Sequence, residues 1–215
     1  ETDSEAPFTA DELPEAIGTL FALNYVNRFS HVVMDGSPVG SWLKDTALRL
    51  FGYELRETTE RPIEPGRALD LLPPASVREE LAWARPNPRI ADALARWRAA
   101  VEREASRAIP PQVRDFVKAS LSQWQGETMP MSRKWVDKEV EQLSGEDREI
   151  AKLILVVAKA SWQFDESLLQ AVMPNAVDEK RLIRILAFAA YSAANRLAHL
   201  AGEHLTGASS YLVAS

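Results

Sequence analysis

The chain of 215 residues contains no cysteine. That excludes disulfides, thiolate metal sites and thiol redox chemistry by this chain alone. Histidine is nearly as scarce, with three residues. A dedicated zinc or iron site is therefore not expected, and no metal or cofactor is assigned, although carboxylates alone can hold a hard cation. The nine glycines form no phosphate-cradling loop, and there is no G-x-S-x-G elbow. No block of five like charges and no basic stripe occurs, and the formal net charge is −6, so nucleic acid is not an expected partner. In the last long segment the longest unbroken apolar run, 185–191, falls far short of the ~20 residues that span a bilayer. With no signal peptide either, the expectation is a cytoplasmic chain with no membrane partner.

Hydrophobic residues make up 46% of the chain, enough for a real core. Nearly every segment has helical spacing, and no strand-turn-strand signal stands out. Thr9 is a candidate N-cap for a helix running to about 35, where Gly36 and Pro38 stop it. Further helices are expected over 39–53, 76–84, 88–107, 111–125 and 132–143. Ser144-x-x-Asp147 precedes another, a short one over 165–173 ends at Pro174, and the last spans about 178–204. The proline-rich connection over 56–74 is the best internal boundary. The fold class is all-α, a helical bundle. Residues 20–34 and 182–200 are apolar on almost all sides, as in helices at the centre of a fold.

Inside those two runs stand Asn27-Arg28-x-x-His31 and Asn195-Arg196-x-x-His199, 168 positions apart (27 against 195). In each copy Asn and His lie at i, i+4 and share a helix face. We read the repeat as the mark of a duplicated helical unit. Two roles are open for the clusters. Asn and Arg on a central helix commonly bond to carbonyls at the ends of neighbouring helices, with the histidines satisfied in the core. The other role is catalytic, with His31 carrying protons in a pocket bordered by Arg28 and Asn27.

The stretch "APFTADELPEAIGTLFALNYVNRFSHVVMDGSPVGSW", with "LDLLPPA", "ELAWARPNPRIADALARWRAAVE" and "PPQVRDFV", resembles the larger, two-repeat members of the AhpD-like superfamily of alkylhydroperoxidases and carboxymuconolactone decarboxylases. The resemblance implies an all-α fold built from a repeated unit. It also implies a motif Glu-x11-Cys-x-x-Cys-x-x-x-His, in which a cysteine pair reduces peroxide while Glu and His relay protons. Laid on this sequence, the motif puts Glu149 at the acid, Ser161 and Phe164 at the cysteines and Leu168 at the histidine. This half cannot perform thiol peroxidase chemistry. Glu149 has a plainer role available, as a favourable charge near the positive end of a helix. Moved back by the repeat offset, the first-repeat cysteine falls before residue 1, so the first repeat is expected to be truncated here.

The expected organisation is therefore a remainder of the first repeat over 1–55, connecting segments over 56–110, and a second, degenerate repeat over 111–215. The candidate catalytic residues are His31, Arg28, Asn27 and Glu149. The leading function is the C-terminal portion of a peroxide-reducing oxidoreductase. Its partner would be an upstream segment or another chain carrying the cysteine motif, in a homo- or hetero-oligomer. The alternatives are a catalytically silent scaffold or interaction subunit, and the all-α ligand-binding domain of a regulator.

Overall fold

The computed structural model describes residues 8–9, 11–34, 64–175 and 177–212, with backbone only for 34 and 206–212. The helix expected over 39–53, the stop of the preceding helix at Gly36 and Pro38, and the first part of the 56–74 connection lie outside these residues. Among the described residues every regular element is helical. No helix there is long and apolar enough to cross a membrane.

Helix α1 (Leu13–Met34) starts beside Thr9. The Thr9 backbone N–H and hydroxyl both donate to the Glu12 carboxylate at 2.9 Å, and the Thr9 carbonyl accepts from the Glu12 and Leu13 N–H groups at 3.1 Å. This is one half of a capping box. The bonds to Thr9 hold the Glu12 carboxyl below its ordinary range. Short 3-10 turns follow at Leu69–Leu71 and Glu79–Ala84. Helix α2 (Pro88–Ala105) is capped by Asn87, whose side chain accepts from the Ile90 N–H. Both α2 and α3 (Pro111–Gln123) carry proline in the first turn, where its missing N–H costs nothing. Then come α4 (Lys134–Glu139), α5 (Gly145–Ala160), α6 (Glu166–Val172, capped by Asp165) and α7 (Glu179–Leu212).

Three local expectations fail for physical reasons. Residues 79–84 form a 3-10 segment broken at Leu81 (φ −107°, ψ 17°), not an α-helix. Three residues per turn aligns Leu81 with Ala84, and both are fully buried. The helix expected over 132–143 keeps only its middle six residues, because so short a piece is held by the burial of Val136 and Val140 and not by its own bonds. Ser144 does occupy the N-cap of α5, but its side chain makes no capping bond. Asp147 instead accepts from the Gln112 side chain at 2.9 Å, tying α5 to α3.

Helices α5 and α7 form the centre. From Ile150 to Ala158 every α5 residue except Lys152 is buried without accessible surface. Helix α7 packs against α1, α2, α3 and α5. One continuous apolar cluster takes in residues from Ile17 to Ala198, so all three sequence segments share one core. Helix α1 corrects the expectation of burial on all sides. Its inner face buries Ile17, Phe21, Val32 and Val33, while Leu20 and Leu23 remain 40% and 53% exposed. Phe21 meets Trp97 and Tyr191 edge-on at 5.3 and 5.2 Å, joining α1 to α2 and α7. Tyr25 also lies edge-on to Trp97, at 4.6 Å, and burial pushes its hydroxyl pKa up to about 12.

This asymmetry predicts that Phe21→Ala destabilises the fold by about 3–5 kcal/mol. Leu23→Ala, two residues away, should shift stability by no more than about 0.5 kcal/mol. Urea unfolding followed by tryptophan fluorescence measures both.

Candidate functional site

The first Asn-Arg-x-x-His copy divides across α1. Asn27 and His31, one turn apart, are exposed, while Arg28 turns inward and is half-buried. Its Nε donates to the Ala158 carbonyl at 2.7 Å, in the last turn of α5. The last four carbonyls of a helix have no partner within it, so this bond answers one of them. The partner that orients Arg28 is Asn24, not Asn27. Nη1 donates to the Asn24 side-chain oxygen at 2.6 Å and to its backbone carbonyl at 3.2 Å, while Asn24 Nδ2 donates to the Leu20 carbonyl. The sequence does carry that signal, since Asn24 and Arg28 are i, i+4. Burial lowers the Arg28 pKa.

The second copy repeats the arginine's role on another helix end. Arg196 Nε donates at 2.8 Å to the carbonyl of Trp124, the residue that closes α3. Arg28 lies 6.0 Å over the ring of that same tryptophan. The two arginines thus meet at Trp124, one on its face and one on its backbone. The surroundings of the two copies differ. Asn195, Arg196 and His199 together line a cavity of about 420 Å³ between α2, α3 and α7. The His199 Nε2 lies 3.4 Å from a Glu203 carboxylate oxygen.

The Glu149-to-Ser161 frame is spread along α5. Glu149 is half-buried in the second turn and borders a shallow groove with Arg148, Ala171 and Pro174. Ser161 begins a 3-10 turn just past Ala160. At 1.5 Å per residue the twelve steps between them separate them by roughly 18 Å, so Glu149 exchanges no proton with the Ser161 position. Around that position the chemistry is structural. Gln163 is buried and fully used, accepting from Trp135 Nε1 and donating to the Pro130 and Met131 carbonyls. Lys159, almost wholly buried, pairs with Glu139 at 2.5 Å. Phe164 packs against the core and Leu168 is buried in it. Among the described residues no group of three or more carboxylates and imidazoles is placed to hold a metal ion.

The chain is similar to an alkyl hydroperoxide reductase of Mycobacterium tuberculosis, with 28% identity over 206 residues. The match covers 94% of this chain and 59% of the relative, so the chain spans about three-fifths of that protein's length. No protein-family model matches the chain, and no solved structure matches it. The likeness supports kinship with the AhpD-like family.

The geometry gives the arginines a role in stability that can be measured. Arg28→Met leaves the Ala158 carbonyl without its partner and should cost about 1–3 kcal/mol, and Arg196→Met should do the same through Trp124. Because both act at Trp124, the double variant should depart from additivity by more than about 0.5 kcal/mol. Denaturant unfolding of the two singles and the double gives all three values.

Proposed function

We propose that the chain is part of an AhpD-like, peroxide-reducing oxidoreductase whose redox cysteines lie outside these residues, on an upstream segment or a partner chain. One observation carries the proposal: similarity to an alkyl hydroperoxide reductase runs through almost the whole chain, yet the chain has no cysteine. The chemistry needs a thiolate to attack the peroxide and a second thiol to resolve the product. This chain supplies neither, so its share is the helical frame and the wall of a site. The outward face of α1, with Asn27 and His31 beside exposed Leu20 and Leu23, is the face we assign to the thiol-bearing segment. Arg28 fixes that face by anchoring α1 to the end of α5. Glu149, on the groove at the start of α5, could serve only a thiol presented there by another segment. A duplicated unit and an oligomeric assembly are part of the same proposal.

A silent scaffold is the second reading. It is favoured by the structural use of Gln163, Lys159 and Leu168 where the motif would have its reactive residues.

Intact mass and N-terminal sequencing of the native product, with a cumene hydroperoxide assay under a dithiol reductant, separate the two. The proposal expects cysteines in the native product or in a co-purifying chain, and turnover there. It expects none from this chain alone. In the active species His31→Gln should lower turnover by about 100-fold without unfolding the protein. A native product that has no cysteine, brings down no cysteine-bearing partner and leaves the peroxide untouched establishes the scaffold reading.

A further inference from the structure

The cavity beside the second Asn-Arg-x-x-His copy has a floor of buried polar groups with nothing to bond. Arg98 and Tyr191 are 4% and 5% exposed. Arg98 Nε, Tyr191 Oη and Asn195 Oδ1 are each buried and lack a hydrogen-bond partner, and all three residues line the same space. Buried polar groups are nearly always paired, because leaving one unpaired forfeits its hydration without return. Three such atoms on one cavity mark a place where a bound molecule would supply the missing partners.

The lining also sets the charge and shape of that molecule. Glu102 takes Arg98 at 2.7 Å and Lys118 at 3.2 Å. Burial works to raise the Glu102 pKa, but Lys118, Arg98 and Arg78 outweigh it and keep the carboxyl below its ordinary range. Glu80 lies 3.9 Å from Arg98 Nε, beyond hydrogen-bonding distance. Arg78 and Arg196 have no carboxylate within ion-pair distance among the described residues. Arg78, Arg98, Lys118 and Arg196 thus face only Glu80 and Glu102 in the lining, an excess of positive charge, with Arg78 exposed at the mouth. Burial chiefly, then the Glu80 and Glu102 carboxylates, raise the Tyr191 pKa against the opposing charge of Arg98, so the hydroxyl stays protonated and able to donate. Of the three unpartnered atoms, Asn195 Oδ1 can only accept, Arg98 Nε can only donate, and Tyr191 Oη can do either. Val101, Leu121 and Phe188 give the space an apolar side. Leu121 and Ser122 belong to the last turn of α3, the negative end of its dipole, which disfavours a compact dianion such as phosphate. The volume of about 420 Å³ suits a small organic molecule.

We propose that this cavity binds a small organic monocarboxylate with an apolar body and one hydrogen-bond donor. The carboxylate takes the Tyr191 hydroxyl and the Arg98 and Arg196 guanidinium groups. The donor, a hydroxyl, meets Asn195 Oδ1, and the body lies on Phe188 and Leu121. Arg78 and Lys118 at the mouth draw the anion in. The site rests on its own residues and does not depend on where the reactive thiols lie.

Calorimetric titration of the chain with 3-hydroxybenzoate and 6-hydroxyhexanoate tests the proposal. Neutral 3-hydroxybenzamide and inorganic phosphate serve as comparisons. At least one hydroxy acid should bind saturably with Kd of about 1 mM or tighter, and the amide and phosphate should bind roughly tenfold more weakly. Tyr191→Phe removes a hydroxyl that is unpaired in the empty protein. Its melting temperature should therefore not fall, while affinity for the acid drops roughly tenfold. Arg78→Gln, at an exposed position, should weaken binding roughly threefold and flatten its salt dependence. The proposal is overturned if neither acid saturates up to about 10 mM. It is overturned equally if the amide or phosphate binds as well as the acids, or if both variants bind like the parent. A lowered melting temperature for Tyr191→Phe would make that hydroxyl a structural group and remove the basis of the site.

Discussion

The structure depends on how the ends of its buried helices are satisfied. Helices α3 and α5 both run into the core and finish there, with Trp124 and Ala160 almost without accessible surface. A helix end exposes carbonyls that need donors, and water is scarce at that depth. Arg28 and Arg196 answer the problem in the same way, each giving one Nε–H to one such carbonyl. A guanidinium suits the task, since its fixed fork can bond one acceptor and still reach others. Burying the cation has a cost, visible in the lowered pKa of Arg28. Asn24 and the ring of Trp124 offset part of it.

Because the arginines are committed to helix ends, the other residues of each motif are placed by rotation about the helix axis. At 100° per residue, Asn27 and His31 lie about 100° and about 60° round the axis from Arg28 in the same sense, on the flank of α1 that is exposed. Helix α7 has neighbours on nearly every side, so the same rotation carries Asn195 and His199 to the edge of a space between α2 and α3. One sequence pattern therefore gives exposed side chains in one copy and the lining of a cavity in the other. The difference lies in what surrounds each helix.

This bears on how much a sequence can tell. The long helices were legible because their apolar periodicity is strong and the first carries Thr9 at its start. The 3-10 segment at Glu79–Ala84 was not, since Leu81 and Ala84 are three apart and satisfy either helix type. Ser144 and Asp147 match a capping pattern, but Gln112 lies 35 positions from Asp147 and competes for it only in the folded chain. Of the two roles left open for the motif, bonding of the arginines to helix ends is present in both copies. Which carbonyls they reach was not readable, because Arg28 and Ala158 are 130 residues apart. The cavity was hidden for the same reason. Arg98, Tyr191 and Asn195 look unremarkable in sequence, and only packing removes their water.

The region after α5 extends the argument from packing to chemistry. A catalytic turn needs a reactive side chain that is reachable and a neighbour free to exchange protons. Here Gln163 spends its amide on three bonds within the protein, Lys159 is locked to Glu139, and Leu168 faces the core. Each of these interactions is stronger for being shielded from water. Placing a cysteine pair at 161 and 164 would not by itself restore a relay, because Glu149 stands at the other end of an unbroken helix. The corner after α5 is thus held by packing and by polar groups bonded within the protein, which leaves no free proton carrier among them.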